Sequence, residues 1–299
     1  MTSELTKPNL VIYHGNCYDG VTAAYVAWLY LKETADYIPF NYSDPPPDVK
    51  GKNIYIVDFS FKRDVILALA KDNYVVVLDH HKTAEAELRG LEAENSGIDI
   101  EFDMNRSGAG IAWDYFFSVP RLPLVNYIED RDLWRFKLPN SREVNAWIQS
   151  WDIDLDTWKN SVAPIMENRS FSSIVEEGKS LLRQQSKLVK QICDNARLKE
   201  LPQLPSGLQQ IGIVGPYVET SILMSEVCEQ LLLDSPMSDF SWYSFLRKDG
   251  KRQYGLRSRN TENFDVSAIA KQYGGGGHKN AAGFELAEGE NFQNPARSS

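Results

Sequence analysis

Three short apolar runs, each followed by a helical pattern, constrain this chain more than any other feature: LVIYH at 10–14, NIYIVDF at 53–59 and YVVVLDHH at 74–81. Strands that alternate with helices are joined by right-handed crossovers and so lie parallel. None of the three alternates apolar with polar residues, which predicts a sheet covered on both faces. Helices are expected from Val21 to Lys32 and over KRDVILALAKD, GAGIAWDYF and LPLVNYIEDRDLW.

From Ser172 to about Leu198 the pattern changes. Ile174, Leu181, Leu182, Leu188, Val189, Ile192, Cys193 and Ala196 keep helical spacing in a charged background, which predicts one long amphipathic helix. LPQLPSG ends it and marks a boundary. Beyond lie an apolar run, LQQIGIV, and a helix near Thr220 to Leu233. A hairpin is expected around Asp249-Gly250, then a helix over VSAIAKQY that runs into GGGGH. The tail after Glu288 reads as loose. The expected fold is α/β, with an N-terminal, mostly parallel, doubly wound sheet over 1–165 and a smaller α/β domain over 205–288. A helical linker, 166–204, joins them, and 289–299 trails. With 299 residues, 42% of them hydrophobic, the chain can bury a core in each of two moderate domains.

The charge balance narrows the partners. Thirty-two basic against 41 acidic residues give −9, which argues against gripping long duplex nucleic acid through its phosphates. A local basic pocket for a short anionic ligand remains compatible with it. Cys17, Cys193 and Cys228 are too few and too scattered for a disulfide framework. No signal-like start and no long apolar span is present. The expectation is a soluble protein of a reducing cytoplasm, with no membrane partner and with homodimerisation left open.

Each of the three strands ends in metal-capable residues: His14 with Asp19 just beyond, Asp58, and Asp79-His80-His81. Carboxyl ends of parallel strands share one edge, so these side chains are expected to converge. An Asp closing a strand is most often a turn or cap residue. Two adjacent histidines there have no routine structural job. Mixed imidazole and carboxylate ligands suit Mn²⁺, Fe²⁺ or Zn²⁺, and the excess of carboxylates tilts the set toward Mn²⁺ or Mg²⁺. An aspartate that bridges two ions makes a two-metal centre, the usual device for phosphoester hydrolysis. Asp130 and Asp132 in NYIEDRDLWRF form a further carboxylate pair, whose plain reading is a solvated helix end. In YGGGGHKNAAGF the four glycines leave a backbone bare enough to wrap phosphate oxygens, with His278 and Lys279 adding charge. Arg257 and Arg259 are spaced to share a strand face and fork a phosphate, or to line a solvated one.

The order H-x-n-D-G, VDFS, LDHH and a distant GGGGH resembles the DHH phosphoesterase superfamily with its C-terminal DHHA1 domain, over Val11 to Phe284. That superfamily includes RecJ-like exonucleases, nano-RNases, cyclic-dinucleotide phosphodiesterases and exopolyphosphatase-like proteins, and HGNCYDG looks most like the oligoribonuclease and exopolyphosphatase-like branch. The resemblance implies that His14, Asp19, Asp58, His80 and Asp130 are metal ligands, Asp58 bridging two Mn²⁺ or other divalent ions. It implies that Asp79 orients the motif, that His81 contacts the scissile phosphate and that Ser107 contacts substrate. Arg257, Gly275, Gly276, Gly277 and His278 would hold the far end of the substrate across an interdomain cleft. The implied activity is phosphodiester hydrolysis of short oligonucleotides or small nucleotide phosphodiesters to mononucleotides. Polyphosphate, 3′-phosphoadenosine 5′-phosphate and cyclic dinucleotides are alternative substrates. A degenerate member that binds a nucleotide without cutting it is the non-enzymatic alternative. One departure stands out: many members carry a second first-motif aspartate, and here only Asp19 is present. Asn16 or water is expected to fill that place; Cys17 is readable as a ligand or, more commonly for such a residue, as turn packing.

Overall fold

The computed structural model describes residues 8–41, 44–202, 212–259 and 264–287. The chain forms two compact units, Met1–Arg183 and Gln184–Ser299. Much of LPQLPSG and LQQIGIV, and the tail from 288, lie outside the described residues.

In the N-terminal unit, β1 (Asn9–His14) leads into α1 (Tyr18–Leu31) and β2 (Ala35–Phe40). Then follow β3 (Asn53–Val57), α2 (Arg63–Leu69), β4 (Tyr74–Asp79), α3 (Lys82–Leu88), α4 (Leu91–Glu94) and β5 (Ile98–Phe102). All five strands pair in parallel, in the order β2-β1-β3-β4-β5. Strand side chains alternate between two cores, as the pleat requires. Leu10, Ile12, Ile54, Ile56, Val75 and Val77 pack on one side with Ile66, Leu88 and Leu91 of the helices there. Val11, Tyr13, Val57, Val76 and Leu78 face the opposite core. Burying each such aliphatic side chain contributes roughly 1.5–3 kcal/mol. The sheet is therefore doubly wound, and apolar residues at consecutive positions are what two covered faces demand.

That opposite core is closed by helices of the unit's second half: α5 (Gly108–Phe116), α6 (Pro123–Asp132), α7 (Ser141–Ile148), α8 (Leu155–Thr157) and α9 (Ala163–Asn168). Ile174 and Val175 join it from the long amphipathic helix α10 (Phe171–Cys193), inside which the boundary between the units falls. The helix stops before the expected Leu198, because Arg197–Glu200 pairs as a strand with Val214–Tyr217.

The C-terminal unit holds a mixed sheet of β6 (Arg197–Glu200), β7 (Val214–Glu219), β8 (Phe240–Leu246), β9 (Lys251–Ser258), β10 (Gly276–His278) and β11 (Ala281–Ala287). Its order is β10-β11-β9-β8-β7-β6, and β7 and β8 are its parallel pair. The hairpin at Asp249-Gly250 joins β8 to β9, with Gly250 at φ +80°. Its helices are α11 (Met224–Asp234) and α12 (Val266–Gln272). Aromatic stacking fills its core: the rings of Tyr273 and Phe284 lie 4.0 Å apart and nearly parallel, and Tyr254 stacks on Phe284 at 4.8 Å. No described helix is long and apolar enough to cross a membrane.

Candidate metal centre

The chain leaves β1 toward β2 on one side and later returns to β3 on the other, so the parallel sheet has its switch point between β1 and β3. Ligands of such sheets gather outside the carboxyl ends there. His14 closes β1, Asp58 follows β3, and Asp79, His80 and His81 end β4.

Asp58 stands at the middle of the cluster. Its Oδ1 lies 3.2 Å from His80 Nε2 and its Oδ2 lies 3.5 Å from His14 Nδ1. The residue is 1% exposed, and Oδ2 makes no hydrogen bond among the described residues. Its backbone is left-handed, φ +51°, an unfavourable conformation for a residue with a Cβ. The tight turn brings Asp58 against the start of α5. A Cβ at Gly108 would sit 2.4 Å from Asp58 Cβ, so that position admits only glycine without displacing the carboxylate.

The same helix start holds Asp19, which is buried in the first turn of α1. Gly108 N donates to Asp19 Oδ2 at 2.6 Å and Ala109 N donates to Oδ1 at 3.0 Å. The N-terminal amides thus fix both oxygens and favour their charge. Ser107 caps this helix: its Oγ accepts from Gly110 N at 3.2 Å. Ser107 is wholly buried, and its hydroxyl holds the helix end that grips Asp19.

His80 Nε2 lies 3.7 Å from Asp19 Oδ2 and 3.5 Å from Asp132 Oδ2, besides its contact with Asp58. The expectation that Asp130 is a ligand needs correction here, because Asp132 and not Asp130 enters the cluster. Side chains two residues apart on a helix point about 200° away from each other, so the two cannot share a target. Asp130 turns to the following loop, where Lys137 N donates to its Oδ1 at 2.9 Å and Leu138 N to its Oδ2 at 3.0 Å. Asp132 Oδ2 is buried with no hydrogen bond among the described residues.

Crowded carboxylates and burial set the electrostatics. Burial, then the charges of Asp58 and Asp132, push the Asp19 carboxyl well up from its ordinary value. Burial also raises Asp132, against the pull of His80. Burial opposes ionisation of Asp58 as well, but His14 and His80 hold it well below the carboxylate range. Burial disfavours a charged His80, yet Asp58, Asp132 and Asp19 carry its pKa well up. Asp79 and His81 form a second layer. Asp79 Oδ1 lies 2.7 Å from His81 Nδ1 and accepts from His80 N at 2.7 Å, which fixes the imidazole's orientation.

The donors fit a divalent cation. Asp19, His80 and Asp132 each offer an atom within 4.8 Å of the others, and so do His14, Cys17 and Asp58. Buried carboxylate oxygens without hydrogen bonds, in a ring of like charge, are what a 2+ ion would neutralise. Asp58, whose two oxygens face the two imidazoles, has the disposition of a bridge.

The C-terminal candidates are differently employed. Arg257 donates from Nη2 to Ser225 Oγ at 3.0 Å, and Arg259 donates to the carbonyls of Leu232, Ser235 and Ser238 around the end of α11. Gly276, Gly277 and His278 form an edge strand paired with Ala281–Gly283, rather than a loop. Gly274, at φ +80°, ends α12, and a Cβ at Gly275 would meet the Gly283 carbonyl oxygen at 2.1 Å. The left-handed backbone at Gly274 and the close packing at Gly275 therefore favour glycine at these two positions.

Residues 224–295 match the family model of the DHHA1 domain. The uncharacterized protein R106 of Acanthamoeba polyphaga mimivirus is 32% identical over 299 residues, an alignment that covers 93% of this chain and 68% of that protein. Among solved structures, the pGpG-specific phosphodiesterase PggH of Vibrio cholerae aligns over 94% of both chains at 13% identity and a TM-score of 0.49. RecJ of Thermus thermophilus, in complex with Mn²⁺, aligns with 94% of this chain at 14% identity and a TM-score of 0.47. That alignment takes in 50% of the RecJ chain.

Proposed function

We infer that the chain, whose residues 224–295 match the DHHA1 domain and whose N-terminal half carries the VDFS and LDHH motifs, is a DHH-type phosphoesterase, and we propose that it is a divalent-metal-dependent phosphodiesterase of short oligonucleotides or small nucleotide phosphodiesters. The observation that carries the reading is Asp58, whose two carboxylate oxygens face His14 and His80 from a buried, strained turn. In this reading His14 and Asp58 hold one cation, and Asp19, His80 and Asp132 hold a second with Asp58 shared. Bound there, divalent ions supply the Lewis acidity and water activation that phosphoester hydrolysis needs.

The chain's own residues do the rest. Asp79 takes Nδ1 of His81, so Nε2 is the atom that meets a phosphate oxygen, and the Asp79 carboxylate favours a positive charge on the ring for that contact. Burial works against that charge; Asp79 overcomes it. Backbone amides of α5 keep Asp19 in place, so turnover costs little reorganisation. The net charge of −9 favours a short substrate over a long polyanion.

The test is a panel with Mn²⁺: di- to pentaribonucleotides, the matching deoxyoligonucleotides, 3′-phosphoadenosine 5′-phosphate, cyclic di-AMP and polyphosphate. The expected result is mononucleotide release from the short oligonucleotides, abolished by chelator. Hydrolysis of polyphosphate alone would replace the assigned substrate class, and no metal-dependent hydrolysis of any member would overturn the reading.

A further inference from the structure

The first-motif loop leaves one donor without a structural job. Cys17 occupies the position just before α1, where a side chain usually caps the helix, yet it makes no cap hydrogen bond. Its neighbour Asn16, the expected substitute ligand, is exposed and sits in a left-handed turn at φ +55°. The loop folds Cys17 back toward β1 instead. Its sulfur, an imidazole nitrogen of His14 and a carboxylate oxygen of Asp58 all lie within 4.8 Å of one another. Asp58 is 1% exposed, and its Oδ2, which has no hydrogen bond among the described residues, lies on the His14 side. A cysteine that only packs a turn is lodged among apolar side chains. This one has an imidazole nitrogen of His14 and a carboxylate oxygen of Asp58 within 4.8 Å of its sulfur, and it lines a small cavity together with Asp19 and Asp132.

We propose that Cys17 is a sulfur ligand of the cation held by His14 and Asp58, in the place where many family members have a second aspartate. The inference rests on the reading that this cluster holds cations. Coordination breaks the S–H bond, and the proton leaves to solvent as the thiolate binds the ion. One thiolate in place of a carboxylate moves the preference of that subsite away from Mg²⁺ and toward Zn²⁺, Fe²⁺ or Co²⁺. The second subsite, built from Asp19, His80 and Asp132, keeps the oxygen-rich character that suits Mn²⁺.

Absorption spectroscopy of the full chain loaded with Co²⁺ tests this without reference to turnover. The wild type is expected to show a thiolate-to-cobalt charge-transfer band in the near ultraviolet. Cys17→Ser is expected to lose the band while melting at the wild-type temperature in chelator. Cys17→Asp is expected to lose it too and to gain roughly tenfold or more in affinity for Mn²⁺ relative to Zn²⁺. A cobalt-loaded wild type with visible ligand-field bands but no sulfur band, or a band that survives Cys17→Ser, overturns the role of Cys17 and leaves the metal centre standing. Failure of the wild type to take up Co²⁺, Mn²⁺ or Zn²⁺ overturns both.

Discussion

The switch point of the N-terminal sheet and the far strands of the C-terminal sheet both carry polar residues that the sequence marks as functional, but the fold treats them in opposite ways. At the switch point, carboxylates are buried beside one another, one of them on a left-handed turn, and three carboxylate oxygens, of Asp58, Asp79 and Asp132, go without hydrogen bonds among the described residues. In the C-terminal unit the arginines end on carbonyls and a hydroxyl, and the glycines make room for packed strands. Unspent polar groups and stored strain concentrate where a ligand is to be bound; satisfied ones support the scaffold.

The largest effect separates chemistry from metal binding. His81→Ala is expected to cost roughly 10²–10⁴-fold in kcat, the usual worth of a positioned proton donor or acceptor, with the metal content by elemental analysis unchanged. Equal loss of metal would make His81 a ligand. Next comes the contrast inside α6. Asp132→Asn is expected to weaken divalent-ion binding by about 10- to 100-fold, on the scale that perturbing a metal site costs. Asp130→Asn should leave binding intact but lower stability by about 1–3 kcal/mol, because Lys137 N and Leu138 N lose a charged acceptor. Calorimetric titration with Mn²⁺, alongside chemical denaturation, reads both.

How much of this was legible in the sequence depends on burial. β1, β3 and β4 showed as apolar runs because both of their faces are covered. β2 and β5 did not, since they are the sheet's edge strands, half-exposed, and β2 contains Pro39. His14, Asp19, Asp58 and the histidine pair were readable because a strand end fixes where a side chain goes. Asp130 and Asp132 were not separable, because the helix end is set by the packing of Tyr127 and Ile128 rather than by the charges. The glycine run suggested a phosphate cradle, but a helix stop and a close strand pairing account for Gly274 and Gly275.

A smaller effect concerns pH. Despite burial, contact with His81 lowers the Asp79 carboxyl and contact with Asp79 raises the His81 imidazole. A depressed carboxylate adds stability above its ordinary value, about pH 4, that is lost as pH falls through its folded value. A raised imidazole adds stability below its ordinary value, about 6.5, that is lost as pH rises through its folded value. The difference in Tm between wild type and Asp79→Asn, in chelator, should therefore peak between about pH 4 and 6.5 and shrink on either side. A pH-independent difference would remove the ion pair from this picture. The smallest effect belongs to the scaffold: Arg259→Ala is expected to cost about 1–3 kcal/mol of stability through the orphaned carbonyls at the end of α11, with Mn²⁺ affinity unchanged.

Native mass spectrometry of the full chain in Mn²⁺, wild type against Asp58→Asn, bears most directly on the proposed bridge at Asp58. Two ions per wild-type chain are predicted, and at most one, weakly held, in the variant. An Asp58→Asn chain that retains two ions would contradict a centre organised around Asp58.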